Sequence, residues 1–266
     1  MIQAFGIIAA LLLAIASILL IRKLVRIEID KAHPDKPIFF IVLTAEILLT
    51  IFLFESTLLE NSINISIFNV FALVSWIITG LYLMATFNKP VEVLGIFILP
   101  ITVTAIFIQL LYPDAVELPT SSLTLEIHIL LSLLAYGLLS IAVSQAIVLS
   151  IQNSFLKHKH PGGFIRSLPA LQSMETLLFQ IIALGFISLS LALLSGVIFL
   201  EDIFAQHLVH KTVLSIVAWG IFGTLLYGRW KFGWRGRKAI NLTIGGFIFL
   251  MLAYFGSKFV IEYLLK

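Results

Sequence analysis

Apolar residues fall in eight long runs, at about 2–21, 37–54, 66–87, 91–112, 124–150, 176–200, 212–228 and 239–261. Each is close to the ~20 residues that an α-helix needs to cross the hydrocarbon core of a bilayer. Pro37 opens the second run, and Pro100 sits midway in the fourth. A mid-helix proline should kink that span and leave a carbonyl for a neighbouring helix to cover. Gly245 and Gly246 in the last run suit tight helix contact, with ordinary packing the plainer alternative. No internal repeat, low-complexity tract or long heptad seam interrupts the pattern. The pattern predicts an all-α polytopic membrane helical bundle of about eight transmembrane helices. Residues 1–266 then form a single transmembrane domain, because no segment is left that is long enough for a separate soluble one.

The polar linkers sort by charge. Residues 22–36, 88–90, 151–175 and 229–238 carry fourteen lysines and arginines, five of them Arg229, Lys231, Arg235, Arg237 and Lys238. The opposite side has Lys211, Lys258 and Lys266, with Glu55, Glu60, Asp114, Glu117, Glu201 and Asp202. Basic loops mark the cytoplasmic side, so both termini are expected on the outer, periplasmic side. Residues 2–21 lack a basic stretch before them, and their charges follow the apolar run; they read as a retained first span.

Composition agrees: 60% of residues are apolar and 12% charged, with mean hydropathy +1.10. A soluble domain carries about twice that charge fraction. The basic excess behind the pI of about 9.1 is sorted by loop and does not form a nucleic-acid patch. The absence of cysteine excludes disulfides, thiol redox chemistry, iron–sulfur ligation and thioether attachment of haem.

Few ionisable residues lie within the runs. Such groups are costly in a bilayer and usually face the bundle interior and mark function. Glu46 lies near the middle of span 2; a carboxyl there is expected to be protonated or paired. Asn69, Gln109, Gln145 and Gln180 are possible neutral partners. A functional role and a structural buried hydrogen bond are both open. His128 lies near the outer end of span 5 and heads a row at every fourth position: His128, Ser132, Tyr136, Ser140, Ser144. Steps of four stay on neighbouring turns of one helix flank. The row reads as a lined pocket or cofactor face, with His128 as ligand or proton carrier. The plainer alternative is helix glue, because serines in membrane helices bond back to their own backbone and an interfacial histidine can reach water.

Other histidines are weaker candidates. His207 and His210 share a face only if their loop is helical, and two ligands make a weak metal signal. His158 and His160 read as solvated residues of a basic loop. The stretch YGRWKFGWRGRK (227–238) reads as an aromatic belt with anionic-lipid contacts, in which Arg229, Trp234, Arg235 and Arg237 anchor the inner face. No P-loop, Rossmann fingerprint, HExxH, GxSxG or paired-carboxylate pattern occurs, so the chain is not expected to be an enzyme.

Several stretches carry a resemblance: Lys211, LSIVAW with Trp219, Gly233-Trp234-Arg235-Gly236-Arg237 and Ala253-Tyr254-Phe255-Gly256. Upstream stand His128 with the following Leu-Leu-Ser, Leu168-Pro169, Met174-Glu175 and Ser195-Gly196-Val197-Ile198-Phe199. Together they resemble the cytochrome c assembly membrane proteins, and more narrowly their small eight-span HemX-like and YpjD-like branch. The match is best over 120–260 and looser over 1–115.

The resemblance implies a bacterial inner membrane protein, multi-pass, that binds or handles haem b. In large relatives, two span histidines and two outer-loop histidines ligate haem, and a tryptophan-rich outer segment cradles it. Here no tryptophan stands in 200–210, the second-span histidine falls near Ala45, and the histidine after span 7 falls at Tyr227. Of the ligand set only His128 carries over, with Ser132 and Tyr136 as candidates to support it. Implied partners are the lipid bilayer, haem and another membrane protein, and no nucleic acid. The alternative is a haem-free scaffold or accessory subunit that binds another membrane protein.

Overall fold

A computed structural model describes residues 2–26, 35–59, 62–88, 91–113, 116–119, 123–157, 168–199 and 206–259. Among them are eight helices long and apolar enough to cross a membrane. The helices are α1 (Ile2–Arg26), α2 (Lys36–Thr57), α3 (Ile67–Asn88), α4 (Gly95–Leu111), α5 (Leu123–Lys157), α6 (Leu171–Phe199), α7 (Gln206–Phe232) and α8 (Arg237–Met251). The chain is an all-α polytopic membrane protein. It forms two compact units, one of Met1–Pro119 with Ile151–Ser173, the other of Thr120–Ser150 with Met174–Lys266.

In the first unit α1 packs on α2 and α4, and α3 packs on the same two helices, closing a ring of four. Ala9, Leu13, Ala16 and Leu20 supply the buried stripe of α1 at helical spacing. The helix α2 starts where it does because Asp35 accepts a hydrogen bond from the Ile38 amide, 3.3 Å, and Pro37 sits in the first turn. Asp35 also pairs with Lys23 at the end of α1, and its amide donates to Glu92 in the 3₁₀ turn before α4. These bonds clasp one end of the ring. Pro100 lies inside α4, and the Thr104 hydroxyl donates to the Pro100 carbonyl, 2.8 Å.

The other end of the ring carries a feature the hydrophobic pattern did not announce. The strands β1 (Leu58–Leu59), β2 (Ser62–Asn64) and β3 (Glu117–Pro119) form a small antiparallel sheet, with Leu58 opposite Ile63 and Ile63 opposite Leu118. Asn69, fully buried at the start of α3, holds this end together. Its Nδ2 donates to the Asn64 carbonyl (2.7 Å) and to Thr57 Oγ1 (3.0 Å), and its Oδ1 accepts from Gln109 Nε2 on α4 (3.2 Å).

α2 and α3 run antiparallel along a regular seam. Thr57 meets Asn69. Seven residues back along α2 and seven forward along α3, the Trp76 indole donates to Thr50 Oγ1, 2.9 Å. Four residues further, Glu46 faces Gly80. Seven beyond that, the rings of Phe39 and Phe87 meet edge to face at 4.7 Å.

In the second unit the Tyr136 hydroxyl on α5 donates to the Leu250 carbonyl on α8, 2.6 Å. Gly185 on α6 admits Leu139 of α5, and Gly246 on α8 admits Phe222 of α7. The Trp219 indole on α7 stacks on Phe186 of α6 (5.5 Å) and donates to Ser190 Oγ, 2.8 Å. α8 continues through a π-turn at Leu252–Gly256 into Ser257–Phe259.

At the basic end of this unit the α7–α8 turn is built on glycine. Gly233 and Gly236 have φ of +66° and +61°, which L side chains rarely adopt. The Trp234 ring lies directly on Gly228, where any Cβ would collide with it. Lys238 covers that ring at 3.3 Å, and Arg229 lies over Phe179 of α6 at 4.8 Å. The Gly236 amide donates to the buried Glu175 carboxylate of α6, 2.9 Å.

Candidate functional site at the acidic end of α5

His128 lies on the second turn of α5, half-buried. Its Nδ1 is 2.9 Å from Ser195 Oγ near the end of α6. The Ser195 hydroxyl has a single hydrogen, and this is donated to the Ala192 carbonyl at 2.8 Å. With that hydrogen turned to Ala192, the serine oxygen can accept from Nδ1–H, and the Ala192 carbonyl is a second acceptor for the imidazole. In that tautomer Nε2 would keep its lone pair.

The side chain within hydrogen-bond reach of His128 Nδ1 is Ser195 of α6. Tyr136 commits its hydroxyl to Leu250, and its ring packs edge to face on Tyr254 and Phe255, each at 6.1 Å. Ser140 and Ser144 donate to the carbonyls of Tyr136 and Ser140, at 2.7 and 3.0 Å. Beyond His128, then, the bonded members of the polar row join helices or return to the α5 backbone. Ser195 was in view only as part of a stretch at the end of span 6. Periodicity cannot pair it with a histidine 67 residues away.

Tyr254, in the π-turn of α8, has Lys211 Nζ 5.5 Å and Lys258 Nζ 5.7 Å from its ring centre. Lys258 is only 6% exposed. The acidic end of this unit therefore holds a histidine on α5–α6 and two lysines grouped on one tyrosine of α8.

The remaining sequence candidates are placed elsewhere. Glu46 lies in the first unit and His128 in the second. Glu46 Oε2 is buried with no hydrogen-bond partner among the described residues. Two of its expected partners, Asn69 and Gln109, bond each other, and Gln145 donates to the Met174 carbonyl at 3.1 Å. Arg229 and Trp234 are part of the turn packing described above, Arg235 and Arg237 are exposed, and Trp230 is 82% exposed. His158 and His160 lie outside the described residues. His207 and His210 belong to the first turns of α7, and their side chains lie outside the described set.

Among the described residues no three His, Asp or Glu side chains group to hold a metal ion. His128 would be the residue to hold an iron already chelated in a macrocycle, to which it would offer one imidazole nitrogen.

The family model for cytochrome C assembly protein matches residues 36–265. The chain is a member of the cytochrome c assembly family. Inner membrane protein YpjD of Escherichia coli (strain K12) is 35% identical over 209 residues, which is 76% of each chain. Protein HemX of Brevibacillus brevis is 23% identical over 198 residues, 72% of this chain and 73% of its own. Cytochrome c biogenesis protein CcsA of Gloeobacter violaceus is 25% identical over 103 residues, 38% of this chain and 30% of CcsA. No solved structure matches the chain. Several stretches that carry the family resemblance are packing devices here: Trp219 joins α6 to α7, the GWRGR turn rests on Gly228 and Glu175, and the AYFG segment forms the π-turn against Tyr136.

Proposed function

We propose that this chain is a bacterial inner membrane protein of the cytochrome c assembly type that binds or handles haem b through His128. It acts as a binding and presenting protein, not as an enzyme. The observation that carries the reading is the His128–Ser195 pair. Ser195 Oγ lies 2.9 Å from Nδ1, which supports the tautomer that keeps the Nε2 lone pair for a metal, as when a second group orients a metal-binding imidazole. Membership of the cytochrome c assembly family supports the choice of haem among possible metal groups. The relative named for cytochrome c biogenesis supports it further.

In this reading haem iron brings ligand-exchange and redox chemistry. The protein would supply the His128 imidazole, the Ser195 hydroxyl beside it, and the apolar faces of α5 and α6. Loop charge supports an orientation with the basic ends in the cytoplasm and His128 near the periplasmic surface.

The test is an absorbance titration of the purified protein with haem b in mild detergent, beside His128→Ala. The parent is expected to develop a shifted, saturable Soret band and the variant to lose it. A band of equal strength in both would remove His128 from ligation, and no band in either would reject haem binding.

A further inference from the structure

The turn between α7 and α8 divides its charges between inside and outside. Residues 227–238 carry five lysines and arginines and no acid. Arg229 is turned inward: its guanidinium lies over Phe179 of α6, and Nη1 donates to the Trp234 carbonyl, 3.3 Å. Trp234 rests on Gly228, and the buried Glu175 of α6 accepts from the Gly236 amide. With Gly233 and Gly236 at positive φ, these contacts fix the backbone of the turn. The other four cations, Lys231, Arg235, Arg237 and Lys238, are exposed on it. Exposed rings stand among them. Tyr227 meets Trp230 and Phe232, each at 6.2 Å, and Lys231 lies over Tyr227 at 5.8 Å.

Depth selects what these cations can meet. One span ends at Phe232 and the next begins at Arg237, so the backbone of 233–236 alone joins them. Out and back at ~3.5 Å per residue, such a turn reaches at most about 7 Å past the span ends. The headgroup layer is about 5–7 Å deep on each side of the hydrocarbon core. The turn therefore lies among phosphates and glycerol backbones and does not stand out in water. Exposed Trp and Tyr rings belong at the same level. An acidic segment of a soluble protein would have to displace lipid to reach these cations.

We infer that the outer surface of this turn is a binding site for an anionic phospholipid. Lys231, Arg235 and Arg237 hold the headgroup phosphate, and Tyr227, Trp230 and Phe232 pack against the glycerol and upper acyl chains. Charge complementarity names the headgroup: the exposed groups of the turn are cations only, and guanidinium forks match phosphate oxygens. Rigidity makes this a site and not a diffuse belt. The backbone that carries the arginines is already held by two glycines and by Glu175, so little ordering is left to be done on binding. Arg229 and Trp234, which the sequence groups with the anchor, act from beneath by holding the turn. The site is at the basic end of the second unit and does not rest on haem binding.

The experiment is native mass spectrometry of the full chain in mild detergent. It is measured first as extracted from membranes, then stripped of lipid and titrated with phosphatidylglycerol or with phosphatidylcholine of the same acyl chains. Adducts on the extracted chain should have phospholipid masses. The stripped chain should hold phosphatidylglycerol about tenfold or more tighter than phosphatidylcholine. Arg235→Gln with Arg237→Gln should weaken phosphatidylglycerol about 25-fold, at about fivefold per cation near a membrane surface, and leave phosphatidylcholine unchanged. Lys231→Gln alone should weaken it about fivefold, and decides if the double variant does not fold. The control is Arg22→Gln with Arg26→Gln, two exposed cations at the basic end of α1 in the first unit. It loses the same charge and should stay within about twofold of the parent. An equal loss in the control would show diffuse attraction to charge. Equal binding of the two lipids, or unchanged binding in the variants, would remove the site. Displacement by soluble glycerol phosphate at matched concentration would show a phosphate site that needs no lipid, and a protein adduct lost in the double variant would show another occupant. Each of these results overturns the proposal.

Discussion

Ser195→Ala isolates what the structure adds to the identity of His128. The substitution removes the oxygen 2.9 Å from Nδ1 and leaves the imidazole itself in place. The Ala192 carbonyl loses an extra donor but keeps its place in the helix. The imidazole then keeps the Ala192 carbonyl as a partner, and its orientation and tautomer are held by one contact fewer. Loss of such an outer partner typically weakens metal ligation about 10- to 100-fold, or about 1.4–2.8 kcal/mol. The assay is a haem b titration in detergent, read at the Soret band, with Ser132→Ala and Tyr136→Phe as controls. Tyr136 lies two turns further along α5, about 12 Å at the helical rise, and its hydroxyl is already given to Leu250. Both controls should keep the parent affinity to within about twofold. An unchanged affinity in Ser195→Ala would refute the orienting role. A loss in Tyr136→Phe equal to that in Ser195→Ala would show that general damage to the unit, and not ligand orientation, is being measured.

Two further outcomes test the packing. Asn69→Ala should lower the stability of the first unit by about 2–4 kcal/mol, because it strips the buried Gln109 and the Asn64 carbonyl of a partner together. Thermal unfolding in detergent reads this, and Asn69→Leu with Gln109→Leu should recover part of the loss. Gly228→Ala should cost about 1–3 kcal/mol by driving a methyl into the Trp234 ring, whereas Trp230→Ala, at an exposed position, should stay within about 0.5 kcal/mol; equal losses at both would refute the seating of Trp234.

The spans were legible because their signal is cumulative. Eight apolar runs of membrane length leave little room for another fold, and the helices occupy those runs to within a few residues, apart from α1, α5, α6 and α7, which extend five to seven residues past them at one end. The β1–β2–β3 sheet was not legible. Two or three residues per strand carry no period, and pairing such as Ile63 with Leu118 joins segments far apart in sequence. The candidate site divides in the same way. His128 stood out as an ionisable group in an apolar run, a local anomaly. Ser195 is one of several serines on α6, and only its distance from His128 distinguishes it. Glu46 was also visible as an anomaly, but its expected amide partners are engaged elsewhere. That Gly80 stands opposite it follows from the register of the α2–α3 seam.

The family resemblance and the chemistry rest on different residues, and this bears on how each can be used. GWRGR, LSIVAW and AYFG are the most distinctive stretches, and all three serve packing. The first makes a glycine-dependent turn on Gly228, the second supplies the stacked and hydrogen-bonded Trp219, and the third forms a π-turn against Tyr136. Those roles belong to any protein that builds this arrangement of α5–α8, whether or not it holds haem. Their presence therefore argues for the fold and is neutral about the cargo. The His128–Ser195 pair is different. A scaffold needs neither an imidazole near the end of a lipid-crossing helix nor a hydroxyl 2.9 Å from it, and a leucine and an alanine would pack there at lower cost to the bilayer. Function in this chain should therefore be argued from that pair, and the distinctive motifs should be read as the frame that brings α5 and α6 close enough to form it.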